Sequence, residues 1–120
     1  MGRTVIPVGI LAAGRSNEVN VNDKRIVGIR MSPGWTAAAI SFEALVDEPP
    51  GEPKAPVFGP VNDAAGAQIT LATPAANTYL AIPDTLALVA LGRIKVLSGT
   101  TSALVGQGVT RNIGLVCVDA

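Results

Sequence analysis

In Glu18-Val19-Asn20-Val21-Asn22 apolar and polar side chains alternate one by one, and this two-residue period restricts the fold more than any other feature of the chain. Successive side chains of a strand point to opposite faces, so the alternation gathers both valines on a buried face and leaves the polar groups on a wet one. A helix would need apolar residues at spacings of three and four. The apolar runs elsewhere are short, rich in Val and Ile, and broken by Gly, Pro, Asn and Asp, the residues that end strands and make turns. Strands are expected at residues 3–12, 17–21, 25–31, 39–46, 56–61, 67–72, 92–97 and 110–119. Asn22-Asp23 offers a tight turn before Lys24. In Ile40-Ser41-Phe42-Glu43-Ala44 the apolar members share a face opposite Ser41 and Glu43, which sends Phe42 to the core.

One segment breaks the period. Pro83-Asp84-Thr85-Leu86-Ala87-Leu88-Val89-Ala90-Leu91-Gly92 has Asp84 or Thr85 as an N-cap, good helix formers behind, and Gly92 as a stop, so a short helical turn is expected there. The following Arg93-Ile94-Lys95-Val96-Leu97 alternates again, and Ser98-Gly99-Thr100-Thr101-Ser102 reads as a polar loop.

About eight short strands separated by polar turns specify an all-β fold, a two-sheet antiparallel β-sandwich that is either jelly-roll-like or immunoglobulin-like. With a single cysteine, the Cys, Trp, Cys pattern of true immunoglobulin domains is missing, which leaves the jelly-roll-like form. Residues 1–120 fit one domain with one core. Cys117 lies in the apolar run Ile113-Gly114-Leu115-Val116-Cys117-Val118 and reads as a small core residue in a chain assembled in a reducing compartment.

Residues 47–56, Asp47-Glu48-Pro49-Pro50-Gly51-Glu52-Pro53-Lys54-Ala55-Pro56, hold four of the nine prolines and cannot be a central strand, because proline lacks the ladder donor. Two readings stand side by side for this proline-rich loop, taken as residues 47–60: an exposed connection, or a semi-rigid arm touching a neighbouring subunit.

Catalysis finds little to work with. Histidine is absent, and with it the commonest general base and metal ligand. Asp47, Glu48 and Glu52 cluster only in the proline-rich loop, where solvation keeps them ordinary. Gly106-Gln107-Gly108 lacks the Lys and Ser or Thr of a phosphate loop and reads as a turn. Asp23, Asp63 and Asp84 stand outside any calcium-loop pattern. The expectation is a chain that is not an enzyme and has neither cofactor nor metal.

Nine basic and nine acidic residues cancel, so nucleic acid is not an expected partner. The apolar start from Val5 to Ala13 is too short to span a bilayer, and Pro7 and Gly9 interrupt it as a signal-peptide core. Charged residues make up only 15% of the chain, against about 25% in an average domain, so part of the surface is expected to be covered by a partner. The candidate contacts are Val5, Ile6, Val8 and Ile10, in a terminal strand or arm (residues 1–13) suited to adding to a neighbour's sheet edge, and Pro49, Pro50, Pro53 and Pro56 in the loop.

Four segments, taken in order, carry a resemblance: Lys24-Arg25-Ile26-Val27-Gly28-Ile29-Arg30-Met31-Ser32-Pro33-Gly34-Trp35-Thr36-Ala37-Ala38, Ile40-Ser41-Phe42-Glu43, Arg93-Ile94-Lys95-Val96-Leu97-Ser98-Gly99-Thr100 and Arg111-Asn112-Ile113-Gly114-Leu115-Val116. From Arg25 onward the chain resembles small β-sandwich accessory virion proteins of tailed bacteriophages, through loose strand-and-turn patterns rather than chemical signatures. It departs from them by inserting the proline-rich segment after the Phe42 strand. The resemblance implies a decoration or cement protein of the phage head that binds the major capsid protein or other virion subunits. It further implies a homo-oligomer such as a trimer on the particle, and location in the virion after assembly in the host cytoplasm. The alternative in the same setting is a tail or fibre module binding a host-surface glycan or another virion protein.

Overall fold

The computed structural model describes residues 3–48, 50–51, 56–72, 74–82 and 92–119. Among them run the strands β1 (Arg3–Ile10), β2 (Val19–Asn20), β3 (Lys24–Arg30), β4 (Ile40–Asp47), β5 (Val57–Pro60), β6 (Thr70–Leu71), β7 (Tyr79–Ala81), β8 (Arg93–Thr100), β9 (Ala103–Leu104) and β10 (Arg111–Asp119). They form two antiparallel sheets, one in the order β1-β10-β3-β7 and the other in the order β2-β8-β4-β5, with β6 added to β4 and β9 to β8. The two sheets pack face to face as the expected all-β sandwich.

The pairs nest. β1 bonds to β10, β2 to β8, β3 to β7 and β4 to β5, as if one long hairpin had been wound alternately through the two sheets. The core lies between the sheets, where the period-two pattern sends alternate side chains inward. β1 gives Val8 and Ile10, β3 gives Ile26 and Ile29, and β10 gives Ile113, Leu115 and Cys117; opposite them stand Ile40 and Phe42 of β4 and Ile94 and Val96 of β8. Phe42 is fully buried, and a side chain of that size contributes about 1.5–3 kcal/mol by leaving water.

Each of the eight expected strands has a counterpart, with ends shifted by up to three residues. β2 shrinks to Val19–Asn20 because the ladder beside β8 is broken at Ser16: its amide donates to the Val96 carbonyl at 2.9 Å, but its hydroxyl, not its carbonyl, accepts from the Val96 amide at 2.9 Å. The turn at Asn22-Asp23 is present, with the Lys24 amide on the Val21 carbonyl at 3.0 Å and Asp23 at φ 58°. Two expectations need correction. Ser98-Gly99-Thr100 is strand rather than loop, because the Ser98 hydroxyl finds the Val105 carbonyl at 2.7 Å and the Ser41 hydroxyl takes the Gly99 carbonyl at 2.6 Å. β7 and β9 lie in stretches where no strand is expected; β7 adds to the edge of β3 in the register Arg30 with Tyr79, with the Met31 amide prolonging the ladder to the Thr78 carbonyl at 2.8 Å, and β9 pairs Leu104 and Ala103 with Gly99 and Thr100 of β8. Residues 83–91 of the expected helical turn lie outside the described residues.

Candidate interaction surface

The two outer faces of the sandwich differ in chemistry. On the β2-β8-β4-β5 sheet, alternation turns Ser41 and Glu43 away from Phe42, yet Glu43 is only 4% exposed. The segment before β2 brings Arg15 alongside, and its Nε and Nη2 donate to the two carboxylate oxygens of Glu43 at 3.0 and 3.0 Å. The Thr101 hydroxyl adds a third bond at 2.8 Å, and Gln68 closes the ring by donating to Thr101 Oγ1 and accepting from the Thr101 amide, each at 3.0 Å. A buried carboxylate is tolerable only when so many charge-assisted bonds replace its water. Beside it Lys95 lies 4.7 Å from the centre of the Phe58 ring, and Arg93 meets Glu18 at 3.3 Å and Glu48 at 3.1 Å. Each of these charges is used internally.

Gln107, expected as a plain turn residue, is 3% exposed and ties distant parts of the chain together. Its Oε1 accepts from the Thr36 amide at 2.8 Å, while its Nε2 donates to the Thr36 carbonyl at 3.0 Å and to Ser98 Oγ at 2.9 Å. The flanking glycines hinted at a turn, but the partners, 71 residues away for Thr36, leave no local signal.

The β1-β10-β3-β7 sheet presents a different face. Directly opposed residues of antiparallel strands share a side, so the register defines outward rows: Arg3, Val118, Arg25; then Val5, Val116, Gly28, Ala81; then Pro7, Gly114, Arg30, Tyr79. No carboxylate stands in these rows. The floor is low at Gly28, where a Cβ would overlap the Tyr79 phenol, and at Gly114, where it would sit 3.0 Å from Val5 Cγ1 and 3.6 Å from Arg30 Cβ. Tyr79 is 51% exposed and Val5 37%, and Arg30 is exposed beside them. At the margin Lys24 binds Asp119 at 2.9 Å, and that hydrogen bond, followed by the charge of Asp119, raises the Lys24 pKa.

Of the residues expected to contact a partner, Val8 and Ile10 are committed to the protein's own core and Ile6 packs against it; Val5 points outward. The terminal segment is thus a full member of the sandwich, paired with β10 from Arg3 to Ile10, rather than a detachable arm. Its outer edge is free in sequence order, but Pro7 sits opposite Gly114, and proline fits there because its nitrogen points away from β10. That outward-facing row of donors is therefore interrupted at its centre, a common device against edge-to-edge pairing. A groove of about 250 Å³ runs beside it, lined by Pro7, Val8, Gly9 and Leu11 on one wall and residues 16–19 on the other. Its carboxylate, Glu18, is already held by Arg93. Pro50 is exposed and Pro56 half-buried, while Pro49 and Pro53 lie outside the described residues.

Cys117 is buried and free, and burial pushes its thiol pKa up. Among the described residues no three His, Cys, Asp or Glu side chains gather as a metal site, and no helix is long and apolar enough to cross a membrane. No protein-family model, no curated protein and no solved structure matches the chain.

Proposed function

We propose that this chain is a non-enzymatic structural subunit, a decoration or cement protein that binds and stabilises the head of a tailed bacteriophage. The observation that carries the reading is the nested strand order, β1-β10-β3-β7 over β2-β8-β4-β5. Eight strands wound as a double Greek key make a jelly roll, an architecture frequent in viral capsid domains. The polar chemistry of the described residues agrees with a structural role: the buried Glu43 and Gln107 are consumed in bonds that hold loops to sheets, rather than converging on an open pocket as reactive groups do. Jelly rolls also serve as lectins, but a sugar platform wants exposed aromatic rings, and the groove beside β1 has none among its lining residues.

Mass spectrometry and cryo-electron microscopy of purified virions test the proposal. The chain should be present at a fixed stoichiometry to the major capsid protein and appear as density on the head. Its absence from mature particles would sink the reading, and density on the tail alone would move the role to a tail or fibre module.

A further inference from the structure

We propose that the outer face of the β1-β10-β3-β7 sheet is the docking face, and that its occupant is an acidic surface of a different protein subunit; this rests on the reading of the chain as a structural subunit. The argument starts from the asymmetry of charge. On the opposite sheet Arg15, Lys95 and Arg93 each have an internal partner. On this sheet Arg3 and Arg30 make no hydrogen bond or ion pair among the described residues, Arg25 stands in the same outward row as Arg3, and none of the three rows holds a carboxylate.

A second copy of the chain is a poor occupant on two counts: docking this face on itself would set arginine against arginine, and the carboxylates that the opposite sheet could offer, Glu18, Glu43 and Glu48, are already held by Arg93 and Arg15. A partner that brings carboxylates gains bidentate contacts to a planar guanidinium, the geometry for which arginine is suited. Between the charges the exposed apolar residues are Val5 and Ala81, with Val116 fully buried beneath them and Tyr79 at the rim. Tyr and Arg around a dry centre are what protein interfaces enrich. The missing side chains at Gly28 and Gly114 keep the floor flat, letting Tyr79 and Val5 lie down over them. A nucleic acid would instead need cations spaced along a phosphate track, whereas Val5 and Pro7 stand after Arg3 on β1.

The test is a titration of the ¹⁵N-labelled full chain with poly-L-glutamate, and in a second arm with single-stranded DNA of matched charge. Poly-glutamate should shift, saturably, the amides of Val5, Gly28, Arg30 and Gly114 while leaving Glu43 and Lys95 in place. Arg30→Glu should weaken this binding at least tenfold and Arg30→Gln about threefold with amide dispersion retained, and Lys95→Glu should change it less than twofold. Shifts spread over both sheets, shifts centred on Lys95, no saturable shift, or DNA bound as tightly on the same face would each overturn the proposal. A chain that gives the expected pattern yet is missing from virions would overturn the virion reading alone, and one present in virions with scattered shifts would overturn the docking face alone.

Discussion

Arg15 grips Glu43 through two parallel bonds of 3.0 Å across the outer face of the β8–β4 pair, with the Glu43 side chain 5% and the Arg15 side chain 36% exposed. The carboxylate is the member that depends on the pair, because the arginine keeps a partial route to water. Arg15→Ala, which strands a buried negative charge on Thr101 alone, is expected to destabilise the fold by about 2–3 kcal/mol, below the range for a wholly buried pair. Glu43→Gln, which removes the charge and keeps the shape, should cost about 1 kcal/mol less. Urea unfolding of the two variants checks this, and equal costs would count against it.

Gln107→Ala should be among the most damaging polar substitutions. It removes the bonds to Thr36 and Ser98 and leaves a gap where Gln107 is 3% exposed, although Thr36 itself is exposed and can turn to water, so the cost is about 2 kcal/mol. A fall in Tm of roughly 8 °C is expected from that loss in a domain of this size, read by thermal unfolding followed by circular dichroism.

Gly66 and Gly99 separate backbone strain from lack of space. Their φ angles are 89° and 90°, but a Cβ at Gly66 meets nothing within 4 Å, whereas at Gly99 it would overlap the Ala103 carbonyl oxygen and stand 2.9 Å from the Val105 nitrogen. Gly66→Ala should cost about 1 kcal/mol, the strain alone. Gly99→Ala should cost more than about 3 kcal/mol or prevent folding, since strand pairing with β9 must open. Chemical denaturation of both variants side by side reads the difference.

Alkaline pH should weaken the fold through two groups. Burial raises the Cys117 thiol pKa, and the Asp119 hydrogen bond raises that of Lys24. A group whose pKa is higher in the folded state holds its proton there after the unfolded chain has released it, so stability falls as pH rises past the unfolded value. For the thiol that decline begins near about pH 8.5, and for the amine near about pH 10.4. Urea midpoints should be insensitive to both groups between about pH 6 and 8, then drop; Cys117→Ala should remove the first part of the slope and Lys24→Met the second.

Deleting residues 1–13 should abolish cooperative unfolding. β1 covers β10 along its length and puts Val8 and Ile10 into the core, and truncating even one such side chain to Ala costs about 2–5 kcal/mol. A deletion variant that kept a sharp thermal transition would show that the rest of the sandwich stands without it.

Alternation makes β4 and β8 readable in the sequence, whereas β1, β3 and β10 are readable as short Val- and Ile-rich runs ended by breakers; β10, buried on both faces from Ile113 to Cys117, has no period to show. β7 and β9, Tyr79–Ala81 and Ala103–Leu104, are too short to carry any period and form only as additions to an existing edge. The alternation places Glu43 on the face opposite Phe42, where it is found, but it is buried there, since Arg15 and Thr101 arrive from 28 and 58 residues away. Gln107 was hidden for the same reason. The outward rows of Arg3, Val5, Arg30 and Tyr79 could not be seen before register was known, because register alone decides which residues of separate strands become neighbours.

Nesting of the strand pairs fixes an order of events during synthesis. β4 and β5 lie close in sequence and can close early, but β3 must wait for β7, β2 for β8 and β1 for β10. While the chain emerges from the ribosome, Val8 and Ile10 stay without their sheet partners until residues 111–119 have been translated. Such long-range closure places folding in the slow range of small domains, on the order of milliseconds to seconds. The Pro7 interruption at the β1 edge then guards this strand through the interval before β10 is made to cover it.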